Sequence, residues 1–292
     1  MKVSKMDALI YDLKELCRRN PHGSKSTQAT RLRQLSLIAA QFLEIGYKLP
    51  SARSLKPKHI NAVLTKWKEA KIATATIKNR VAAIRWWAKA VNKTSIIKTN
   101  EDYGLEARRH DGKNKAQKLD LKKLETIKCP HVKMALRLQA AFGMRREEAI
   151  KFCPKQADKG NRIALKATKG GRYREIEITT DRQRALLEEA KDLAKGGSLI
   201  PEGSRYIDQL KAYENQTLKA GLRNNHGLRH NWAQWRYQHL TGWKPPAQNG
   251  MKKTDMTPEQ WKIDRQARME ISEEMGHSRI DITDTYLGSA TK

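Results

Sequence analysis

The sequence is poor in the residues that build crosslinked or metal-clipped folds. Cys17, Cys129 and Cys153 are the only cysteines in 292 residues. An odd number without a CxxC spacing excludes a disulfide framework and a thiolate zinc site, and it fits a reducing compartment. Long apolar runs are also missing. Nothing approaches the roughly 18 continuous apolar residues of a membrane span, and Met1–Asp7 has no apolar signal core. A soluble, cytoplasmic protein is expected. Acid is the third shortage: 31 Asp and Glu stand against 59 Lys and Arg.

That imbalance leaves a formal charge of +28. Self-repulsion of this size destabilises a compact state, so folding alone gives no reason for it. A polyanionic partner does, and nucleic acid is the first choice. A membrane surface is the rival reading, but the basic residues are spread along the chain instead of flanking an apolar segment. Hydrophobic content of 38% with seven tryptophans points to packed helices.

The first part of the chain reads as helices. Asp7 to Arg19 is amphipathic and is stopped by Asn20-Pro21-His22-Gly23. Ser26 to Ile45 carries Leu32, Leu35, Ala39 and Phe42 on one stripe, with Gly46 as its stop. Ser54 is a candidate cap for a third helix through Ile60, Val63, Leu64 and Trp67. The fourth runs from Thr76 to Val91. Its apolar residues Ile77, Val81, Ile84, Ala88 and Val91 share one face, and Lys78, Arg85 and Lys89 lie on another. A stretch from Lys98 to Lys118, including Arg108 and Arg109, shows no apolar period and reads as a basic linker. The expected domains are 1–112, helical and DNA-binding with its linker, and 113–292.

In the second domain Asp120 can cap a helix carrying Leu121, Leu124 and Ile127. A strongly apolar helix, Val132 to Phe142, ends at Gly143. Arg145 follows at the start of a new helix, a rigid place from which to aim a guanidinium, although Arg145 and Glu148 also have the spacing of a local ion pair. Arg162–Ala167 and Tyr173–Ile178 alternate around Thr168-Lys169-Gly170-Gly171-Arg172, a hairpin signature that puts Lys169 at its tip. Thr180 and Gln183 form a capping box for the next helix, and a further helix spans Tyr206 to Leu218. His226 and Arg229 then open a helix on one face of its first turn, where backbone N–H groups favour an anion. Near the end Gly276-His277 is followed nine residues later by Tyr286.

Taken in order, Gly-Met-Arg with Glu148, the hairpin Lys-Gly, His-x-x-Arg, and Gly-His with its distant tyrosine resemble the tyrosine recombinase, or phage integrase, family. The match runs from Leu119 to Gly288. The resemblance implies a mainly helical protein with a small antiparallel β-sheet. An N-terminal helical bundle of the core-binding, SAM-like kind would precede an α+β catalytic domain of the type shared with type IB topoisomerases. It implies that Tyr286 is the nucleophile, leaving a 3′-phosphotyrosine and a free 5′-hydroxyl. Arg145 and Arg229 would hold the non-bridging oxygens, Lys169 would protonate the leaving oxygen, His226 would accept the tyrosine proton, and His277 would bond the phosphate. Glu148 would brace the first arginine. The covalent link conserves bond energy, so religation would need no ATP, and no metal or other cofactor is called for, which fits the lack of a carboxylate cluster in the sequence.

The chemistry supports these residue types independently. Planar guanidiniums suit the equatorial oxygens of a phosphodiester transition state, and a tyrosine with pKa near 10 needs a base or a positive field. The expected partner is double-stranded DNA, bound by a homo-tetramer on paired sites, with room for an accessory factor that bends DNA or sets direction. A bacterial or phage cytoplasm is the expected setting. Lys78, Arg85, Lys89, Arg108, Arg109 and Arg172 are candidate DNA contacts. A type IB topoisomerase and a non-catalytic DNA-binding protein are the alternatives. Three features depart from the family pattern: 47 residues separate Arg229 from His277, only six follow Tyr286, and no arm-binding domain precedes the helices. The excess at 241–258 reads either as a tolerated loop or as a DNA or subunit contact.

Overall fold

The computed structural model describes residues 5–106, 113–166, 173–277 and 279–291. The chain divides into two compact units, Met1–Arg109 and His110–Lys292.

Among its described residues the first unit holds four α-helices, α1 (Lys5–Arg19), α2 (Lys25–Glu44), α3 (Pro57–Glu69) and α4 (Thr74–Ala90). Their apolar stripes meet in one core around Leu13, Phe42, Trp67, Val81 and Trp87. The two buried indoles keep their N–H groups bonded, Trp67 to Gln41 Oε1 at 2.8 Å and Trp87 to the Ala52 carbonyl at 2.8 Å, so neither carries the cost of an orphaned donor.

Two expectations fail in this unit. Ser54 does not cap α3. It closes a short 3₁₀ turn with Ser51, Oγ to Oγ 3.2 Å. The helix starts at Pro57, whose fixed φ suits the first helical position, and the His59 ring accepts the Lys56 N–H at 3.2 Å. The stretch from Lys98 is not a linker from its start either. Tyr103 and Leu105 are buried in the helical core. Lys68 donates to the Tyr103 carbonyl at 2.8 Å, Arg85 to the Lys98 carbonyl at 3.0 Å, and Lys78 to the Glu106 carbonyl. An irregular segment can fold down on two apolar side chains when neighbouring cations satisfy its carbonyls, and periodicity does not register such a segment.

The second unit comprises α5 (Leu121–Glu125), α6 (Pro130–Phe142), α7 (Arg146–Ile150), α8 (Pro154–Ala157), β1 (Arg162–Leu165), β2 (Arg174–Glu177), α9 (Asp181–Ala194), α10 (Tyr206–Lys219), α11 (His226–Thr241), α12 (Pro258–Glu274) and α13 (Ile280–Leu287). Asp120 caps α5 through the Lys123 N–H at 3.1 Å. Thr180 and Gln183 cap α9 reciprocally, an arrangement typically worth about 1 kcal/mol. α6 ends at Gly143 in a left-handed turn, and α7 opens directly behind Arg145. β1 and β2 pair antiparallel with Ile163 opposite Ile176. Residues 167–172, with Lys169 and Arg172, lie outside the described residues, as do Arg108 and Arg109. The core gathers α6, α9, α11, α12 and α13, with Phe142, Trp232, Tyr237, Ile271 and Leu287 at its centre. No helix among the described residues is long and apolar enough to cross a membrane.

Candidate active site

Four elements of the second unit converge on one cluster. Arg145 stands at the N-terminus of α7, Arg174 begins β2, His226 and Arg229 open α11, and Met275-Gly276-His277 is the turn after α12. Glu148 is the anchor. Its carboxylate accepts the Arg145 backbone N–H at 2.7 Å, the Arg145 guanidinium at 2.8 Å and the Arg174 guanidinium at 2.6 Å. The Met275 carbonyl accepts Arg229 at 2.6 Å and Arg145 at 3.2 Å. Arg229 also donates to the Gly143 carbonyl, and Arg174 to the Glu274 carbonyl. Arg145 Nη2 lies 3.3 Å from His277 Nε2.

The turn that makes this possible depends on Gly276. Its φ of +68° is left-handed, and a Cβ there would stand 2.9 Å from the Arg174 side chain. Only glycine allows both the reversal and the close approach.

α13 brings Tyr286 into the same cluster. Its ring centroid lies 4.4 Å from that of His230, 5.8 Å from His277 and 6.1 Å from His226, with Arg229 Cζ 5.8 Å away. The tyrosine is 7% exposed, so its phenol is sheltered among three imidazoles and a guanidinium instead of standing in bulk water.

The charge balance is uneven. Three guanidiniums, two of them about 1% exposed, stand together, but Glu148 pairs with Arg145 and Arg174 while Arg229 donates to two carbonyls. Burial, then the charges of Arg174 and Arg145, push Arg229 down to about 9. Its buried Nε–H has no acceptor among the described residues, nor has that of Arg174. Burial alone would raise Glu148, but Arg174 and the bonds from Arg145 outweigh it and hold the carboxyl below the usual range, ionised. Burial, then Arg229 and Arg145, lower His226, so its imidazole is neutral at neutral pH and able to accept a proton. The cluster therefore offers an unneutralised positive site beside a base and a phenol, which suits an oxyanion such as a phosphate.

Arg145, Glu148, His226, Arg229, His277 and Tyr286 thus meet in one place, while Lys169 falls outside the described residues. Of the candidate DNA contacts in the first unit, Lys89 is exposed, and Lys78 and Arg85 are bonded to carbonyls within that unit. Sequence reasoning missed Arg174 and His230. Arg174 alternates in phase with Ile176, which marks an inward position on a strand. His230 lies one turn from His226 on the same helix face, and their rings stand 5.5 Å apart.

Among the described residues, Glu177, Glu270 and Glu274 have the spacing of metal ligands. Arg236 occupies that space and bonds all three, at 2.7, 2.6 and 3.0 Å. This group is an ion-pair anchor for the end of α12.

Comparison with known proteins agrees with the architecture. The family model described as phage integrase, N-terminal, matches residues 6–97, and the one described as integrase matches residues 107–235. The second spans Arg145, His226 and Arg229 and stops short of His277 and Tyr286. Among solved structures the chain is similar to a lambda integrase dimer bound to a COC′ core site, at 12% identity and TM-score 0.60, covering 94% of this chain and 75% of that one. It is similar to the Tn1549 transposon integrase in complex with transposon right end DNA, at 14% identity and TM-score 0.60, covering 97% and 95%. It also resembles a lambda integrase tetramer bound to a Holliday junction, at 14% identity and TM-score 0.52, covering 76% and 70%. No curated protein sequence matches it significantly. The fold of these structures is the one found here, a helical N-terminal part followed by a catalytic part with a small antiparallel sheet. The chain belongs to the tyrosine recombinase, or phage integrase, family.

Proposed function

We propose that the chain is a site-specific DNA recombinase that integrates or excises a mobile DNA element through a 3′-phosphotyrosine at Tyr286. The observation that carries this reading is the meeting of three guanidiniums, two of them paired to Glu148, beside a sheltered tyrosine. In the reaction the Tyr286 oxygen attacks the scissile phosphorus, and the bond from phosphorus to the 5′-oxygen breaks. His226 takes the phenolic proton. Arg145, Arg229 and His277 hold the non-bridging oxygens, while Glu148 and Arg174 brace Arg145 from behind. Lys169 gives a proton to the leaving 5′-oxygen. Attack by a 5′-hydroxyl of another strand reverses the step, so the phosphodiester energy is kept and no ATP is used, and the guanidiniums take the charge-stabilising part that a metal would otherwise play.

The charge of +28 supports double-stranded DNA as partner. Residues 1–112 would form the arm that holds the duplex and 113–292 the catalytic part. Lys89, Arg108, Arg109 and Arg172 would contact phosphates, and Lys78 and Arg85 would do so by exchanging their carbonyl bonds. The DNA-bound dimer and tetramer among the similar structures favour assembly of four copies on paired sites. An accessory DNA-bending or directionality factor and a cytoplasmic setting complete the proposal.

The test uses a pool of random-sequence duplexes bearing a 5′-bridging phosphorothiolate, whose sulfur leaves without an acid and does not rejoin. A covalent adduct is expected, and peptide mapping should place the nucleotide on Tyr286. Sequencing of the captured DNA should then yield a preferred site, and two copies of that site should recombine. An adduct on another residue, or none, sinks the reading. Relaxation of arbitrary supercoiled DNA without strand exchange would make the chain a type IB topoisomerase.

The same assay checks the proton acceptor. Because His226 is lowered, more acid is needed to protonate it, and its accepting form persists to lower pH. The single-turnover rate should hold as pH falls to about 6.5, the ordinary imidazole value, and decline only below it. A decline centred above that value would remove His226 as the base.

A further inference from the structure

The segment between α11 and α12 has a partner within its own unit. It contains two short 3₁₀ turns, Pro246–Gln248 and Lys253–Asp255. The first is tightly closed: a Cβ on Gly250 would lie 1.7 Å from the Lys244 carbonyl oxygen. Both turns face the end of the chain. The Lys253 N–H donates to the Ala290 carbonyl at 2.9 Å, and a Cβ on Gly288 would stand 2.7 Å from the Ala247 nitrogen.

Gln234 ties this segment to Tyr286. Its side chain is 1% exposed on α11. The amide nitrogen donates to the Tyr286 carbonyl at 2.9 Å and to Asn114 Oδ1 at 2.8 Å, and its oxygen accepts from Gln248 at 2.8 Å. Three different segments therefore meet on one buried amide. Gln234 also falls two helical turns after His226 and one after His230, so the three share a face of α11. The histidines flank the Tyr286 ring, and the glutamine holds its backbone.

We propose that Gln234 is a positioning residue for Tyr286, and that the 244–253 turn is the outer half of the same clamp through Gln248. This rests on Tyr286 being the nucleophile. A one-ångström misplacement of a reacting group can cost about a hundredfold in rate, and a side chain on a helix of only eight residues needs such a hold. On this reading the segment between α11 and α12 braces the nucleophile, rather than being a tolerated surface loop or a DNA contact.

The test compares the full-length wild type with Gln234→Leu and Gln248→Ala. Leucine keeps roughly the volume of glutamine and removes every bond, and Gln248 is only half-buried, so its variant folds even if the first does not. Two readouts are taken: hydrogen exchange of residues 280–291 without DNA, and the single-turnover adduct rate and non-covalent affinity with the phosphorothiolate duplex pool. Faster exchange confined to 280–291 is expected, with adduct formation down about ten- to a hundredfold and affinity unchanged. Unchanged exchange and rate in a folded variant overturn the clamp, and so does an affinity that falls in step with the rate. If the wild type forms no adduct, the proposed function fails. The exchange arm still decides the clamp, which is overturned if 280–291 exchange as in the wild type.

Discussion

Arg229→Lys should slow covalent capture of DNA by about a thousandfold or more, although it keeps a basic residue in place. A guanidinium at this position reaches the Gly143 and Met275 carbonyls together and still has its Nε–H to offer an oxyanion. An ammonium cannot match that planar fork. Loss of one such donor typically costs about 10²–10³ in rate. Charge adds to the loss. Burial and the two neighbouring arginines push Arg229 down to about 9. A lysine, which starts lower, near 10.4, would be pushed down by the same burial and the same neighbours and would give up its proton more readily. The variant should therefore recover rate as pH is lowered across a range in which the wild-type rate, with His226 lowered, stays flat. The single-turnover rate with the phosphorothiolate pool measures both effects. A loss below about tenfold, or a pH profile parallel to the wild type, would mean that Arg229 serves the fold and not the phosphate.

The sequence made the helices legible where an apolar stripe had to be buried, because a period of 3.6 residues leaves a direct trace. The face of Ile77, Val81, Ile84 and Ala88 is the buried face of α4, and the caps at Asp120 and Thr180 hold. It failed where burial has no period. Tyr103 and Leu105 enter the core from a segment whose carbonyls are bonded by Lys68, Lys78 and Arg85, and that support comes from residues at least thirteen positions away. The site divides in the same way. Groups whose spacing is local, such as His226 with Arg229, could be read one after another. Groups that act through distant partners could not. The Met275 carbonyl is a site feature with no side-chain signature at all, and Gln234 is one glutamine among many until α13 and the 244–253 turn close on it.

Glu148→Gln should be the most destabilising change at the site that adds no volume. The wild-type carboxylate is 4% exposed and pairs Arg174, itself 1% exposed, at 2.6 Å. The amide removes the one charge that compensates two guanidiniums and turns an accepting oxygen into a donor facing them. Breaking a buried pair on one side typically costs about 3–5 kcal/mol, which for a unit of this size corresponds to a fall in Tm of about 6–20 °C. Glu148 lies below the usual carboxylate range when folded, so its contribution is complete above the unfolded value near 4.3 and is lost as pH falls through the lower folded value. Wild type and variant should therefore converge in stability at strongly acidic pH and differ fully at pH 5 and above. Bound DNA should narrow the gap as well, because a phosphate at Arg145 and Arg229 supplies part of the missing negative charge. Thermal unfolding of both proteins, with and without a short duplex, measures this. A fall of less than about 3 °C at neutral pH would show that the guanidiniums are compensated without Glu148. An equal fall with duplex present would show that no phosphate enters the cluster.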